Sequence, residues 1–110
     1  MNRWQIGWLG EWQAARYLKR RGMRILARRF RASHGEIDLI ARDGETLVFV
    51  EVKTRPRGGI NDGLRAVNAD KRRHLRSAAA AYLTAHPAAS VRFDVIEITA
   101  AGLRHIKNAF

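Results

Sequence analysis

Residues 35–55 read G-E-I-D-L-I-A-R-D-G-E-T-L-V-F-V-E-V-K-T-R. Two runs with strand composition flank Asp43-Gly44, a dipeptide suited to a tight hairpin turn. The first run carries Glu36 and Asp38, the second Glu51 and Lys53. Side chains two apart in a strand point to the same face. A turn centred on Asp43-Gly44 pairs Arg42 with Glu45 and sets Asp38 near Phe49, one step from Glu51. Asp38, Glu51 and Lys53 then gather at one edge of a short sheet.

The second strand, 46–53, is dominated by β-branched residues and phenylalanine. Val48, Val50 and Val52 make one face wholly apolar; the other is apolar until Glu51 and Lys53. A strand apolar on both faces is buried on both. Its charges therefore appear where it leaves the core, at the C-terminal end where open α/β sheets place ligands.

Outward from the hairpin, residues 24–31 predict a preceding strand with imperfect alternation, closed by a turn at 32–35. His34 in that turn reads as an exposed loop histidine, with a ligand or phosphate contact as the sharper alternative. Residues 3–21 predict a helix: Trp4, Trp8 and Trp12 recur every fourth position, and Gly22 follows three cations. Such a stripe more often marks core or a subunit interface than a base-stacking platform. Gly7 and Gly10 weaken that helix, a cost explained by close approach of another backbone or a phosphate. Beyond the hairpin, 54–65 is rich in glycine and arginine and predicts a basic loop. Residues 71–85 predict a second helix, capped by Asn68 or Asp70. Its inner face is Leu75, Ala78, Ala79, Tyr82 and Leu83. Lys71, Arg72, Arg73, His74 and Arg76 oppose the helix dipole at its first turns, as a phosphate-binding end would. Residues 91–98 predict a last strand, parallel to the hairpin's second strand through a right-handed crossover. Arg92 and Asp94 read as a structural ion pair, Glu36 as a partner for arginine. Residues 101–110 leave room for one more short element. The expected fold is one α/β domain over 1–110: helix, three antiparallel strands, helix, strand, with a mixed sheet.

The chain has 110 residues, 21 Lys plus Arg against 10 acids, a net charge of +11, and no cysteine. One domain of this length builds a core without staples. The charge favours a polyanionic partner, nucleic acid first among them. No cysteine means no disulfide framework and no thiolate metal site. No apolar run approaches a membrane span, and the first residues lack a leader's apolar run, so a cytoplasmic location is expected.

Among so few acids, clustered ones carry information. Asp38 and Glu51 at a strand edge suit Mg²⁺ or Mn²⁺, hard cations that take oxygen ligands; Glu11 reaches in from the first helix, and the Val52 carbonyl is a natural further ligand. Lys53 is placed to orient a metal-activated water or to neutralise charge on a phosphate. Acid-x-Lys alone is common and usually an exposed ion pair. Here it ends a strand otherwise apolar on both faces, and buried charges need a reason. Arg55, Arg57 and Arg65 in the loop and Lys71, Arg72 and Arg73 on the second helix are the candidate nucleic-acid contacts.

Gly7-x-x-Gly10-Glu11, Gly35-Glu36-Ile37-Asp38-Leu39-Ile40, Phe49-Val50-Glu51-Val52-Lys53-Thr54-Arg55, Arg92-Phe93-Asp94-Val95 and Asn108-Ala109-Phe110 together resemble the bacterial YraN family. That family is uncharacterised and is grouped with restriction-endonuclease-like folds and archaeal Holliday junction resolvases. The resemblance implies a PD-(D/E)xK nuclease core in which Glu11, Asp38, Glu51 and Lys53 match the resolvase acid, acid, acid and lysine. Ile37 stands where the signature has proline. The implied activity is metal-dependent phosphodiester hydrolysis in DNA, branched DNA included. A non-catalytic nucleic-acid-binding module of a repair or recombination complex is the alternative. Resolvases act as dimers, which would give the Trp4/Trp8 helix face a role as a homodimer contact.

Overall fold

The computed structural model describes residues 2–55 and 68–110, apart from the side chains of Arg3 and Trp4. Helix α1 spans Arg3–Arg20, followed by strands β1 (Arg24–Ala32), β2 (Gly35–Asp43) and β3 (Thr46–Arg55). Helix α2 spans Ala69–Ala85, then come β4 (Ser90–Thr99) and β5 (Gly102–Ile106). The five strands form one mixed sheet in the order β1-β2-β3-β4-β5. Only the β3–β4 pairing is parallel; the other three are antiparallel. The expected order is therefore observed, and the residues after 101 supply a fifth strand. Among the described residues no helix is long and apolar enough to cross a membrane.

Among the described residues, each face of the sheet is covered by one helix, and each interface has its own core. Leu75, Ala78, Ala79 and Tyr82 of α2 pack on Ile37, Ile40, Leu47, Phe49 and Val95. Ala14, Ala15 and Leu18 of α1 pack on Leu39, Ala41, Val48, Val50 and Ile96. Consecutive β3 residues thus alternate between the two cores, as a strand buried on both faces must. Burial of each such large aliphatic or aromatic side chain contributes about 1.5–3 kcal/mol. That makes β3 the rigid centre from which the site's residues project.

Local chemistry accounts for the element ends. Asn2 caps α1 by accepting from Gln5 N, while the Gln5 side chain accepts from Asn2 N. Gly22, at φ +89°, takes the left-handed turn after it. Asn68 is the cap of α2, accepting from Lys71 N at 3.0 Å. The uneven alternation in β1 has a cause: its register against β2 shifts between Ile25 and Ala27, a β-bulge.

Two expectations are corrected. First, the hairpin turn is not centred on Asp43-Gly44. Asp43 pairs with Thr46 and Arg42 with Leu47, so Gly44-Glu45 are the central residues. Gly44 has φ +61°, and glycine at the first central position is what a type II′ turn requires. The change moves the register by two residues, which keeps the paired side chains from Leu39 to Asp43 on their faces. Asp38 therefore falls across from Glu51 rather than Phe49. Second, of the two readings of the tryptophan stripe, core or subunit interface, Trp8 and Trp12 do not take the first. Trp8 is 56 % exposed and Trp12 45 %, whereas Ala14, Ala15 and Leu18 are buried. The small residues let α1 lie close to the sheet, and the large rings stand outward: Trp8 beside Arg28 and Arg29 of β1, and Trp12 between that side and the cavity toward β5.

Candidate functional site

Gly10 brings α1 onto the sheet. A Cβ at this position would lie 2.1 Å from Thr54 Oγ1 and 3.3 Å from Thr54 Cβ. Any side chain here would push the helix away from β3. The neighbouring residue, Glu11, is held by that contact over the ends of β2 and β3. Around Gly7, by contrast, space is open, and this glycine lines the resulting cavity.

The cavity has a volume of about 460 Å³ and is lined by Ile6, Gly7, Glu11, Asp38, Glu51, Val52 and Thr54. It lies where strand β2 changes its facing. Strict alternation would put Ile37 and Leu39 in one core, yet Ile37 packs under α2 and Leu39 under α1. The break falls at Asp38. Regular β2–β3 pairing runs from Asp43/Thr46 only to Leu39/Val50. Beyond it the Asp38 side chain takes over: its Oδ2 accepts from Val52 N at 2.8 Å. The aspartate thus repairs the ladder that its own displacement interrupts.

Glu51 is almost wholly buried, at 3 % exposure. Its Oε1 lies 3.3 Å from Lys53 Nζ and 3.6 Å from Lys71 Nζ. Its Oε2 is buried with no hydrogen-bond partner. An unpartnered acceptor of this kind costs about 1–3 kcal/mol, more when charged. Asp38 carries the same stress in another form. Burial first, then the negative charge of Glu51, push its pKa up to about 8, against the opposing hydrogen bond from Val52; the charge of Glu11 adds to the rise. Two carboxyls are therefore held side by side in a half-dry cleft, Asp38 bonded to Val52 N and Glu51 with one oxygen lacking a donor.

Glu11 faces the same cavity, but its carboxylate is engaged: Arg29 Nε donates to Glu11 Oε1 at 2.8 Å. That bond comes first among the influences raising the Arg29 pKa. Arg29 itself sits at φ +50°, an unusual conformation for a non-glycine residue. Among the described residues, no group of three or more His, Cys, Asp or Glu side chains is gathered as a ready metal set. Two acids converge, Asp38 and Glu51, with Glu11 bordering them.

The structure brings Asp38, Glu51, Lys53, Val52 and Glu11 together and adds Lys71, which sequence reasoning placed among the phosphate contacts of α2. Its i+20 separation from Glu51 gave no local signal. The other cations of that helix have internal contacts. Arg73 pairs with Asp70, and Arg72 and Arg76 lie over the Phe110 ring at 5.5 and 5.8 Å. Arg55 is exposed at the end of β3. Arg57 and Arg65 lie outside the described residues, as does the Trp4 side chain. His34 is exposed, and Glu36 pairs with Arg31 at 3.2 Å, as expected.

The Arg92–Asp94 pair is part of a network that the sequence did not disclose. Asp94, fully buried, accepts from Arg92 Nε at 2.9 Å and Nη2 at 3.0 Å, and from Asn108 N at 3.1 Å. His105 Nε2 lies 2.7 Å from its second oxygen, and the other ring nitrogen is 3.2 Å from the Tyr17 hydroxyl. Burial alone would raise the Asp94 pKa. The bonds from His105, Arg92 and Asn108 outweigh it and hold it below the ordinary carboxylate value.

The profile described as uncharacterised protein family UPF0102 matches residues 10–98. A UPF0102 protein of Geobacter sulfurreducens is 48 % identical over 112 residues, covering 96 % of this chain and 88 % of that protein. One from Geobacter metallireducens is 46 % identical, covering 96 % and 91 %. One from Dechloromonas aromatica is 46 % identical, covering 89 % and 82 %.

Proposed function

The chain belongs to the uncharacterised protein family UPF0102, and from that premise and the site's geometry we propose that it is a metal-dependent nuclease with a restriction-endonuclease-like core. The observation that carries this reading is the Asp38–Glu51 pair, set side by side at the end of a buried strand with Lys53 and Lys71 behind it. The proposed substrate is DNA, branched DNA in particular, on a chain of net charge +11.

The residues present fit a hard divalent cation. Glu51 Oε2 is a buried acceptor without a partner, and burial, together with the charge of Glu51, pushes the Asp38 pKa up to about 8. Mg²⁺ or Mn²⁺ takes oxygen donors and would satisfy both. Asp38 and Glu51 would hold it, with the Val52 carbonyl and Glu11 as further ligands. When bound, such an ion supplies an activated water and charge stabilisation for phosphodiester hydrolysis.

The chain's own groups do the rest. The hydrogen bond from Val52 N fixes the Asp38 carboxyl, leaving its other oxygen for the cleft. Lys53 and Lys71 hold Glu51 through its Oε1 and are placed to neutralise charge on a phosphate oxygen. Thr54, pressed on Gly10, sets the width of the cleft. A homodimer through the Trp4/Trp8 face of α1 is part of the proposal, supported by the half-exposed Trp8 and Trp12.

A second reading has an observation in its favour. Glu11 is neutralised by Arg29, so among the described residues two acids, Asp38 and Glu51, converge without it, and a nucleic-acid-binding module without cleavage would need no more. Titration with Mg²⁺ and Mn²⁺, read by amide NMR, separates the two. The nuclease reading expects localised shifts at Asp38, Glu51 and Lys53 that vanish in Asp38→Asn. It also expects Glu51→Gln and Lys53→Ala each to lower cleavage of labelled DNA by about a hundredfold or more. Undiminished cleavage by both variants would end it.

A further inference from the structure

The opposite flank of α1 carries two more cavities. One, of about 430 Å³, is mostly apolar, with Leu9 and Gln13 of α1 facing Ile98 of β4. The other, of about 530 Å³, lies between Trp12, Arg16 and Arg20 of the helix and Leu103 of β5. They adjoin each other and the carboxylate cavity through shared walls. Ile6 and Thr54 line both the carboxylate cavity and the apolar one. Gln13, Ile98 and Thr99 line both the apolar cavity and the basic one. Residues 6, 9, 13, 16 and 20 follow at helical spacings of three and four, so they form one stripe. The three cavities thus adjoin in a row along α1, over roughly 21 Å from Ile6 to Arg20 at about 1.5 Å per residue, and together offer a groove-like track.

The chemistry changes along this groove in a definite order. Carboxylates stand at one end, apolar side chains in the middle. At the far end the Trp12 ring has the Arg16 guanidinium 5.5 Å from its centroid, and Arg16 and Arg20 are exposed. An apolar peptide in this groove would leave the guanidinium groups without counter-charge. A duplex hides its base faces in the stack. A single strand presents apolar base faces and phosphates together, which suits stacking platforms flanked by cations.

We propose that this groove carries a single-stranded nucleic-acid segment running from the Asp38/Glu51 cleft to Trp12, Arg16 and Arg20. The inference rests on the nuclease reading and narrows its substrate class: a duplex or junction bearing a single-stranded tail, with the tail lying along α1. The length of the groove matches about four nucleotides, the lower end of single-strand site sizes.

The test is binding without cleavage. Fluorescence anisotropy in EDTA compares a blunt duplex with the same duplex carrying a short oligothymidine tail. The tail is expected to tighten binding about tenfold and to quench tryptophan emission, as base stacking on an aromatic ring would. Arg16→Gln with Arg20→Gln, and separately Trp12→Ala, should remove the gain while leaving the thermal midpoint and the blunt-duplex affinity nearly unchanged. Glu36→Ala, away from these cavities, should keep the gain. Equal affinity for tailed and blunt duplexes would overturn the groove proposal, and cleavage scored separately in Mg²⁺ would show whether the nuclease reading survives it. Variants that change sedimentation but not tail affinity would also overturn it, assigning the groove to a second copy of the chain.

Discussion

Two acidic centres sit on adjacent strands of one sheet and are built in opposite ways. Asp94 pairs in register with Val50, the residue just before Glu51. It is surrounded by donors: Arg92 twice, His105 and the Asn108 amide. Across the strand, Glu51 keeps an unpartnered oxygen and Asp38 is crowded by like charge. Carboxylates on neighbouring strands thus sit in opposite surroundings. A buried carboxylate fully supplied with donors is a fastener. One left short of them is poised for something that arrives from outside.

Breaking the fastener should have the largest effect. Asp94→Ala leaves Arg92 and His105 without their shared acceptor and should cost about 3–5 kcal/mol, measured by urea unfolding. Next comes the spacing that separates helix from strand at the site. Gly10→Ala forces a methyl into Thr54 and should cost about 1–3 kcal/mol. Thr54→Ala in the same chain removes the hydroxyl that is struck and should restore most of the loss.

The two centres should also respond oppositely to pH. For Asp38, folding raises the pKa from 3.8 to about 8. Between those values the folded state holds a proton that the unfolded chain has released, so its contribution is lost as pH rises. For Asp94 the folded pKa is lowered, so its contribution is present above the ordinary carboxylate range and lost as pH falls. Asp38→Asn should therefore flatten the decline in stability between about pH 4 and pH 8, seen in thermal melts across that range. The smallest effect belongs to an acid outside both centres. Glu36→Ala breaks a pair with Arg31, an exposed arginine, and should change stability by no more than about 1 kcal/mol. A larger loss would mean that solvent screening at the hairpin has been misjudged.

The difference between the centres also explains what the sequence could disclose. The hairpin, the acids on it and both helices follow from spacings of two and from three to four, which are local. The turn was displaced by one residue because glycine was read as the second central residue when its positive φ belongs to the first. The Trp stripe misled because helical spacing reports a face, not which face is inward. Ala14, Ala15 and Leu18 decided that by letting the backbone come close. Asp94's network was illegible for another reason. Tyr17 and His105 are 88 positions apart, and nothing local to either signals the other. Lys71 met Glu51 for the same reason, through the packing of α2 on the sheet.

The parallel pairing of β3 with β4 has a consequence in time. Asp38 and Glu51 belong to a hairpin that can close in about 1–10 μs, with both carboxylates still in water. Val95 reaches Glu51 only after α2 and β4 have been laid down against β3, a contact of long sequence separation. Desolvation of the acids is thus deferred to the end of folding. Replacing Glu51 by glutamine should leave hairpin closure unaltered and lower the barrier to the final docking of β4. The buried carboxylates of the hairpin would then set the pace at which the domain is made.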